Sequence, residues 1–118
     1  MANFLHTLRR GDACQFGTWV KLSSLETLEL LAIAGFDFVV IDMEHAPHTF
    51  ETAYRCIVGA QGLGMKALVR LPDSQGTYVQ RILDSGADGV LVPRVRTPEE
   101  ARQLMDGMVF SPQGSRGL

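Results

Sequence analysis

Short apolar runs alternate with amphipathic stretches along the chain, and this alternation restricts the fold more than any other feature of the sequence. Residues 38–41, Phe-Val-Val-Ile, form an unbroken apolar run typical of a strand covered on both faces. The pattern predicts a leading helix, strands at 15–22, 38–41, 66–70 and 89–92, and helices at 25–34, 50–60, 77–85 and 98–108. Repeated βα units with right-handed crossovers build a parallel sheet, so the sequence predicts an α/β fold.

Capping residues mark the helix starts. Ser23 followed by Glu26 is the pattern of a capping box, and Thr97 followed by Pro98 and Glu100 is a second one. A third helix is predicted to begin at a Thr49 cap. The last helix has an apolar stripe that we expect to be buried, consisting of Ala101, Leu104, Met105 and Met108.

Length and charge narrow the class of protein. The chain has 118 residues, enough for one domain but only about half of the roughly 250 of a complete (β/α)8 barrel. Its net charge is −2 with a pI near 5.8, which argues against nucleic acid as a general partner. No apolar run approaches the roughly 18 residues of a membrane span. Two cysteines cannot build a disulfide framework, so we expect a cytoplasmic protein.

Polar residues follow the predicted strands at the end where parallel sheets bind ligands. The second strand runs into Asp42, Glu44 and His45, the third ends in Arg70, and the fourth is followed by Pro93-Arg94. His45 beside carboxylates could exchange protons at neutral pH, or it could merely hydrogen-bond a loop. Arg70 could clamp a carboxylate or stabilise an enolate oxygen, or it could form a structural ion pair with Asp42 or Glu44.

For the other ionisable residues, the sequence supports only weaker hypotheses about function. His45 and His48 are three apart with Pro47 between them, which disfavours the helical zinc motif, so His48 is expected in a loop or helix cap. Asp84 ends a helix, where it is either solvated or held by a partner such as His45. The glycine-rich segment 111–117 could cradle an anion. Cys14 and Cys56 lack a neighbouring base and are not expected to be nucleophiles.

Several segments resemble the HpcH/HpaI aldolase/citrate lyase family, in the order in which that family has them. The matching segments are Gly-Thr-Trp at 17–19, Ala-Gly-Phe-Asp-Phe-Val-Val-Ile-Asp-Met-Glu-His-Ala-Pro at 34–47, Val-Arg-Leu-Pro at 69–72, Gln-Arg-Ile-Leu-Asp-Ser-Gly-Ala at 80–87, Val-Pro at 92–93 and Gly-Ser-Arg-Gly at 114–117. The Asp-x-Glu-His-x-Pro motif at a strand end is the most specific of these.

The resemblance implies that residues 1–118 are the N-terminal half, a leading helix and four βα units, of a (β/α)8 TIM barrel. It implies a metal-dependent lyase that cleaves a 4-hydroxy-2-oxo acid to pyruvate and an aldehyde. His45 then matches the family's acid/base histidine, Arg70 the enolate-stabilising and substrate-binding arginine, and Asp84 the aspartate that supports the histidine. Asp42 and Glu44 belong to the same motif as supporting residues.

The family's metal ligands, a glutamate and an aspartate, lie on later strands of the barrel. No metal ligand is therefore expected in this chain; the divalent ion (Mg²⁺, Mn²⁺ or Co²⁺) would be bound by residues beyond Leu118. We expect the isolated 118-residue chain to be inactive. It is a fragment, a natural half completed by another chain, or a non-catalytic remnant or interaction module. The expected partners are a small 2-oxo acid and an aldehyde, other copies of the chain, or a missing C-terminal half.

Overall fold

A computed structural model describes residues 4–117. The order of elements is α1 (Phe4–Arg10), β1 (Gly17–Val20), α2 (Leu25–Ile33), β2 (Phe38–Asp42), α3 (Phe50–Gly62), β3 (Lys66–Arg70), α4 (Val79–Asp84), β4 (Gly89–Leu91) and α5 (Pro98–Asp106). The four strands form one sheet in the order β1-β2-β3-β4, and every neighbouring pair is parallel. The predicted α/β fold is confirmed.

The two faces of the sheet have different neighbours. Val39 and Ile41 of β2, and Ala67 and Val69 of β3, are fully buried in the core cluster that also contains residues of the helices. Side chains alternate between the faces of a strand, so Asp42 and the residues aligned with it lie on the opposite face. The alignment across that face runs from Asp42 to Arg70 and on to Leu91. In a closed barrel, this second face is the interior.

The leading helix α1 closes the amino-terminal end of the second face. Phe4 is almost fully buried, and its ring centroid lies 5.2 Å from that of Phe38 at the start of β2. Gly17, which pairs with Phe38 across the strands, leaves room for this ring, because a Cβ at Gly17 would overlap it. The second face is therefore open at the opposite end, where the strands finish, which is the end at which parallel α/β sheets bind ligands.

The helix starts differ in detail from the prediction. The cap of α2 is Ser24, whose hydroxyl accepts a hydrogen bond from the Thr27 backbone N–H; the predicted Ser23–Glu26 box is wrong by one residue. Because Ser23 and Ser24 are adjacent, the sequence alone does not show which serine caps the helix. Thr49 caps α3 as predicted.

Thr97 also caps α5 as predicted, accepting a hydrogen bond from the Glu100 backbone N–H. The carboxylate of Glu100 reaches past Thr97 to the backbone N–H of Arg96, so the second predicted box is only half formed.

Two segments are less buried than expected. The first strand was expected over 15–22 but pairs with β2 only over Gly17–Val20, and Phe16 and Leu22 on either side are exposed. On α5, Leu104 is buried as predicted, whereas Met105 is 59% exposed. Met105 borders a shallow apolar hollow with Val109 rather than the core, because the core-facing stripe of this short helix is narrower than the sequence pattern.

Both outer strands of the sheet have one strand neighbour each in the described part of the chain. β1 pairs only with β2, and β4 pairs only with β3. Apolar side chains near these edges are exposed to solvent, including Trp19 on β1 and Leu91 on β4. None of the helices within residues 4–117 has the length and apolar character needed to cross a membrane.

Candidate functional site

An ion pair joins the carboxyl ends of β2 and β3. Arg70 Nε donates to Asp42 Oδ1 at 3.0 Å, and Arg70 Nη2 donates to Asp42 Oδ2 at 2.7 Å. The register of the parallel strands places the two residues side by side, and both point to the face away from the helices. Of the two predicted roles of Arg70, the structural ion pair is confirmed, and the arginine side chain is still 21% exposed.

Asp42 also shapes the loop that follows β2. Its Oδ1 accepts hydrogen bonds from the backbone N–H groups of Glu44, at 3.0 Å, and His45, at 3.1 Å. The side chain of Asp42 has no exposed surface. The hydrogen bonds from Arg70 hold the pKa of Asp42 well below its usual range; those from His45 and Glu44 lower it further, whereas burial opposes the shift. The anionic carboxylate therefore holds the loop and the guanidinium in one arrangement.

The Glu44 carboxylate lies at the centre of a charged cluster. Its Oε2 is 3.4 Å from Arg70 Nε and 3.6 Å from His45 Nε2, and its Oε1 is 3.9 Å from Arg94 Nε. The Glu44 side chain is only 12% exposed. The ends of β2 and β3, the loop after β2 and the turn after β4 thus bring two carboxylates, two guanidinium groups and one imidazole to the same edge of the sheet.

Trp19 completes this edge from the neighbouring strand β1. The guanidinium carbon of Arg70 lies 4.2 Å from the centroid of the Trp19 ring, which is a cation–π distance. The Asp42 carboxylate accepts hydrogen bonds from the edge of the Arg70 guanidinium, and the Trp19 indole stacks on its flat face. Trp19 could not be assigned to the site from the sequence, because an apolar residue within a strand carries no charge or spacing signal.

His45 has an exposed side chain: 63% of its surface faces solvent, although its backbone is held by Asp42. The expected contact between His45 and Asp84 is not formed. Asp84 ends α4 in the helix layer, and its Oδ1 accepts hydrogen bonds from Arg116 Nη2 at 2.7 Å and Arg116 Nε at 3.3 Å. This pairing with the C-terminal loop explains how a carboxylate is tolerated at the end of a helix.

Arg116 is also held by other groups of the C-terminal loop. Its Nη1 donates to the Met108 carbonyl oxygen at 3.5 Å, and its guanidinium lies 4.4 Å from the centroid of the Phe110 ring. The side chain is 14% exposed. The cation of the glycine-rich segment 111–117, considered as part of an anion cradle, is therefore engaged within the protein.

The other two histidines have different surroundings. His48, expected in a loop or helix cap, is buried just before α3; its Nε2 is 3.2 Å from the Val20 carbonyl oxygen and its Nδ1 is 3.2 Å from Thr52 Oγ1. It links the end of β1 to the start of α3, a structural role that the sequence pattern did not reveal. His6 on α1 is exposed, as expected.

The clustered carboxylates do not form a metal site by themselves. Within residues 4–117, His, Cys, Asp and Glu side chains form no group of three or more that could hold an ion. The Asp42 oxygens already accept hydrogen bonds from Arg70 and two backbone N–H groups, and Glu44 lies between two guanidinium groups. The donor set in this part of the chain does not fit the expected divalent metal.

Four parallel βα units with charged residues at the carboxyl end of the strands define a barrel-type α/β protein with its candidate site at the usual edge. The HpcH/HpaI aldolase/citrate lyase family model matches residues 15–118, and the chain belongs to this family.

Two curated relatives and one solved structure illustrate the similarity. The chain is 33% identical over 115 residues to a 2-keto-3-deoxy-L-rhamnonate aldolase from Salmonella gallinarum, covering 98% of this chain and 43% of the relative. It is 36% identical over 111 residues to a 2-dehydro-3,6-dideoxy-6-sulfogluconate aldolase from Pseudomonas putida, covering 94% of this chain and 43% of the relative. The crystal structure of an HpcH/HpaI aldolase from Desulfitobacterium hafniense superposes on this chain with a TM-score of 0.87 at 32% identity. The match covers 99% of this chain and 46% of that protein.

The chain therefore spans less than half the length of the relatives it matches. Its four βα units correspond to the N-terminal half of a TIM-type barrel, which confirms the fold expected from the resemblance.

Proposed function

We propose that the complete protein is an aldolase that cleaves a 4-hydroxy-2-oxo acid to pyruvate and an aldehyde. These 118 residues would supply the groups that move protons and bind anions. The observation that carries the proposal is the Asp42–Arg70 pair beside Glu44 and His45, at the ligand-binding edge of a member of this aldolase/lyase family. Two relatives of the chain are aldolases, which supports the same activity.

Cleavage breaks the bond between C3 and C4 of the substrate. A base removes the proton of the 4-hydroxyl group, C4 leaves as the aldehyde carbon, and the bonding electrons pass to C3 as the enolate of pyruvate. Return of a proton to C3 then gives pyruvate. We assign the base to His45, whose imidazole is accessible and lies beside Glu44. A positioned base of this kind contributes about 10²–10⁴ in rate.

Arg70 is assigned to the oxygen that becomes negative in the enolate. Its guanidinium is held by Asp42 and covered by Trp19 before any ligand arrives, so little reorganisation is needed as charge develops. Asp42 and Glu44 act as supporting residues that hold Arg70 and the loop carrying His45. The role that the resemblance gives to Asp84 stays a prediction, since its carboxylate is paired with Arg116.

The metal, the location and assembly of the protein, and the activity of the isolated chain belong to the same proposal. The expected divalent metal finds no three-ligand site in residues 4–117, so its ligands would lie outside this part of the chain. A cytoplasmic location and assembly with further copies of the chain remain predictions from the sequence. The isolated 118-residue chain is expected to release no pyruvate.

The test is a chimera in which this chain replaces the matching N-terminal portion of the Salmonella gallinarum aldolase. Pyruvate release is followed by coupling to lactate dehydrogenase, with the relative's own substrate and with other 4-hydroxy-2-oxo acids. His45→Ala is expected to lower the rate by about 10²–10⁴. His6→Ala is the matched control, because His6 is exposed on α1, away from the strand ends.

The chimera and the isolated chain are assayed side by side. A folded chimera whose rate is unchanged by His45→Ala would overturn the assignment of the base. Metal-dependent pyruvate release by the 118-residue chain alone, abolished by His45→Ala, would show that the chain is a sufficient enzyme and would contradict the expected inactivity.

A further inference from the structure

We propose that His48 is a positioning residue for the base His45. His48 lies outside the charged cluster at the strand ends, and it fastens the far end of the loop after β2 to the end of β1. This inference rests on the proposed function, in which His45 removes the proton of the 4-hydroxyl group. It gives a functional role to a buried histidine that the cleavage step itself does not use.

The His48 ring is buried, and both of its nitrogens have partners. Asp42 and His48 are the two buried residues with a polar or charged side chain among residues 4–117. Nε2 of His48 lies 3.2 Å from the Val20 carbonyl oxygen, and Nδ1 lies 3.2 Å from Thr52 Oγ1. A carbonyl oxygen only accepts hydrogen bonds, so Nε2 carries a proton and is the donor to Val20.

The loop after β2 is held at both ends. At its start, Asp42 Oδ1 accepts hydrogen bonds from the backbone N–H groups of Glu44 and His45, at 3.0 Å and 3.1 Å. At its far end, three residues after His45, the ring of His48 is bound to β1. Pro47, between the two histidines, restricts the backbone further. The His45 side chain is 63% exposed, so its position depends on how this backbone is held.

Through Val20, His48 connects the loop to the strand that carries Trp19. Val20 is buried and follows Trp19 directly. The centroid of the Trp19 ring lies 4.2 Å from the guanidinium carbon of Arg70. The base and Arg70 have to engage two parts of one substrate at the same time, so their separation affects the rate. The hydrogen bond from His48 to Val20 ties together the two segments on which this separation depends.

The start of α3 is capped without His48. Thr49 Oγ1 accepts a hydrogen bond from the Thr52 N–H at 3.1 Å, and Thr52 Oγ1 accepts one from the Thr49 N–H at 2.8 Å. These reciprocal bonds form a complete capping box. Capping therefore does not account for a histidine at position 48, and burying an imidazole costs free energy that burying an apolar side chain does not. What the histidine adds is the hydrogen bond to β1.

The test compares two variants in the chimera with the Salmonella gallinarum aldolase. The amide nitrogen of glutamine is as many bonds from the backbone as Nε2 of histidine, so His48→Gln retains a donor to Val20. Methionine has a similar length and no donor. His48→Met is expected to lower kcat about tenfold to a hundredfold, because displacing a catalytic group by about 1 Å has effects of this size. His48→Gln should keep kcat within about threefold of wild type.

The Michaelis constant and a stability control separate positioning from a general loss of structure. KM of His48→Met should stay within about threefold, since Asp42 holds Arg70 independently of His48. Ile82→Val is the matched control: Ile82 is fully buried on α4, so its truncation lowers stability, but kcat should stay within about twofold. Circular dichroism verifies that each variant is folded. His48→Leu, which also lacks a donor, replaces His48→Met if that variant does not fold.

The outcomes distinguish this inference from the function on which it rests. If His45→Ala lowers the rate but folded His48→Met retains the wild-type kcat, the role of His48 is wrong while the base stands. Equal losses of kcat in His48→Gln and His48→Met would also contradict the role of His48, because only the first retains the donor. If His45→Ala leaves the rate unchanged, the proposed base is wrong, and the role of His48 is wrong with it.

Discussion

Arg70 donates hydrogen bonds to both carboxylate oxygens of Asp42 on the neighbouring parallel strand, at 3.0 Å and 2.7 Å. The Asp42 carboxylate is fully buried and also accepts two backbone N–H groups from the loop that carries His45. A single side chain therefore joins β2, β3 and the proposed catalytic loop. This arrangement makes the stability of the fold and the geometry of the candidate site depend on the same charge.

The first prediction concerns acid stability. The pKa of Asp42 lies below its usual range in the folded chain, so its contribution to stability is fully present above the unfolded-state pKa of about 3.9. That contribution is lost as the pH falls from there toward the folded-state pKa. Asp42→Asn should be less stable than wild type by about 2 kcal/mol at pH 7, because the charge-assisted bonds are removed. The difference should shrink below about pH 4.

Urea unfolding followed by circular dichroism between pH 3 and pH 7 measures this difference. Asp12→Asn is a suitable control, because Asp12 is 66% exposed and pairs with the exposed Arg10. A constant gap between Asp42→Asn and wild type over the whole pH range would contradict the prediction.

The second prediction concerns the turn at Gly114. A Cβ at this position would overlap the Val109 carbonyl oxygen and also crowd that of Asp106, both of which are backbone atoms. Gly114→Ala should therefore force the C-terminal loop to shift, at a cost of about 1–3 kcal/mol in the free energy of unfolding. Gly107→Ala is the control: its φ is −71°, and the added Cβ would lie 3.6 Å from the Leu104 carbonyl oxygen, an ordinary contact distance.

Thermal unfolding of the two glycine variants provides the measurement. Gly107→Ala is expected to stay within about 0.5 kcal/mol of wild type. Equal melting temperatures for both variants would mean that the loop adapts without strain.

The third prediction concerns the two cysteines. Cys14 is exposed, whereas Cys56 lies in the core, where burial raises the pKa of its thiol. Because the thiolate is the reactive form, Ellman's reagent at pH 8 should modify Cys14 rapidly and Cys56 only after unfolding. Cys14→Ser should abolish the rapid phase. A rapid phase that survives in this variant would show that the core around Cys56 opens readily.

The fourth prediction concerns association of the isolated chain. Within residues 4–117, the outer strands β1 and β4 each pair along one edge only, and Trp19 and Leu91 on the second face of the sheet are partly exposed. Such edges and apolar surfaces promote pairing between chains. Light scattering should show oligomers or aggregates at micromolar concentration. A monodisperse monomer that unfolds cooperatively would contradict this expectation.

Local patterns in the sequence were sufficient for the α/β class, the order of elements and the burial of the central strands. The apolar run of β2 and the Thr49 and Thr97 caps are local signals, and the structure confirms them. Asp42, Glu44 and Arg70 could also be placed at one edge, since parallel strands must end on the same side of their sheet. The location of the site at this edge therefore follows from the parallel topology of the sheet, which the local sequence pattern already predicts.

Partners that are distant in the chain depend on the tertiary structure. Asp84 faces Arg116 rather than His45, and His48 is buried against the Val20 carbonyl group; neither contact has a sequence signal, because each joins residues on separate elements. Trp19 covers Arg70 for the same reason. Apolar periodicity and caps depend on neighbours within a few residues, so they determine elements. Which charged groups meet depends on how the sheet and helices pack, and only the folded chain decides it.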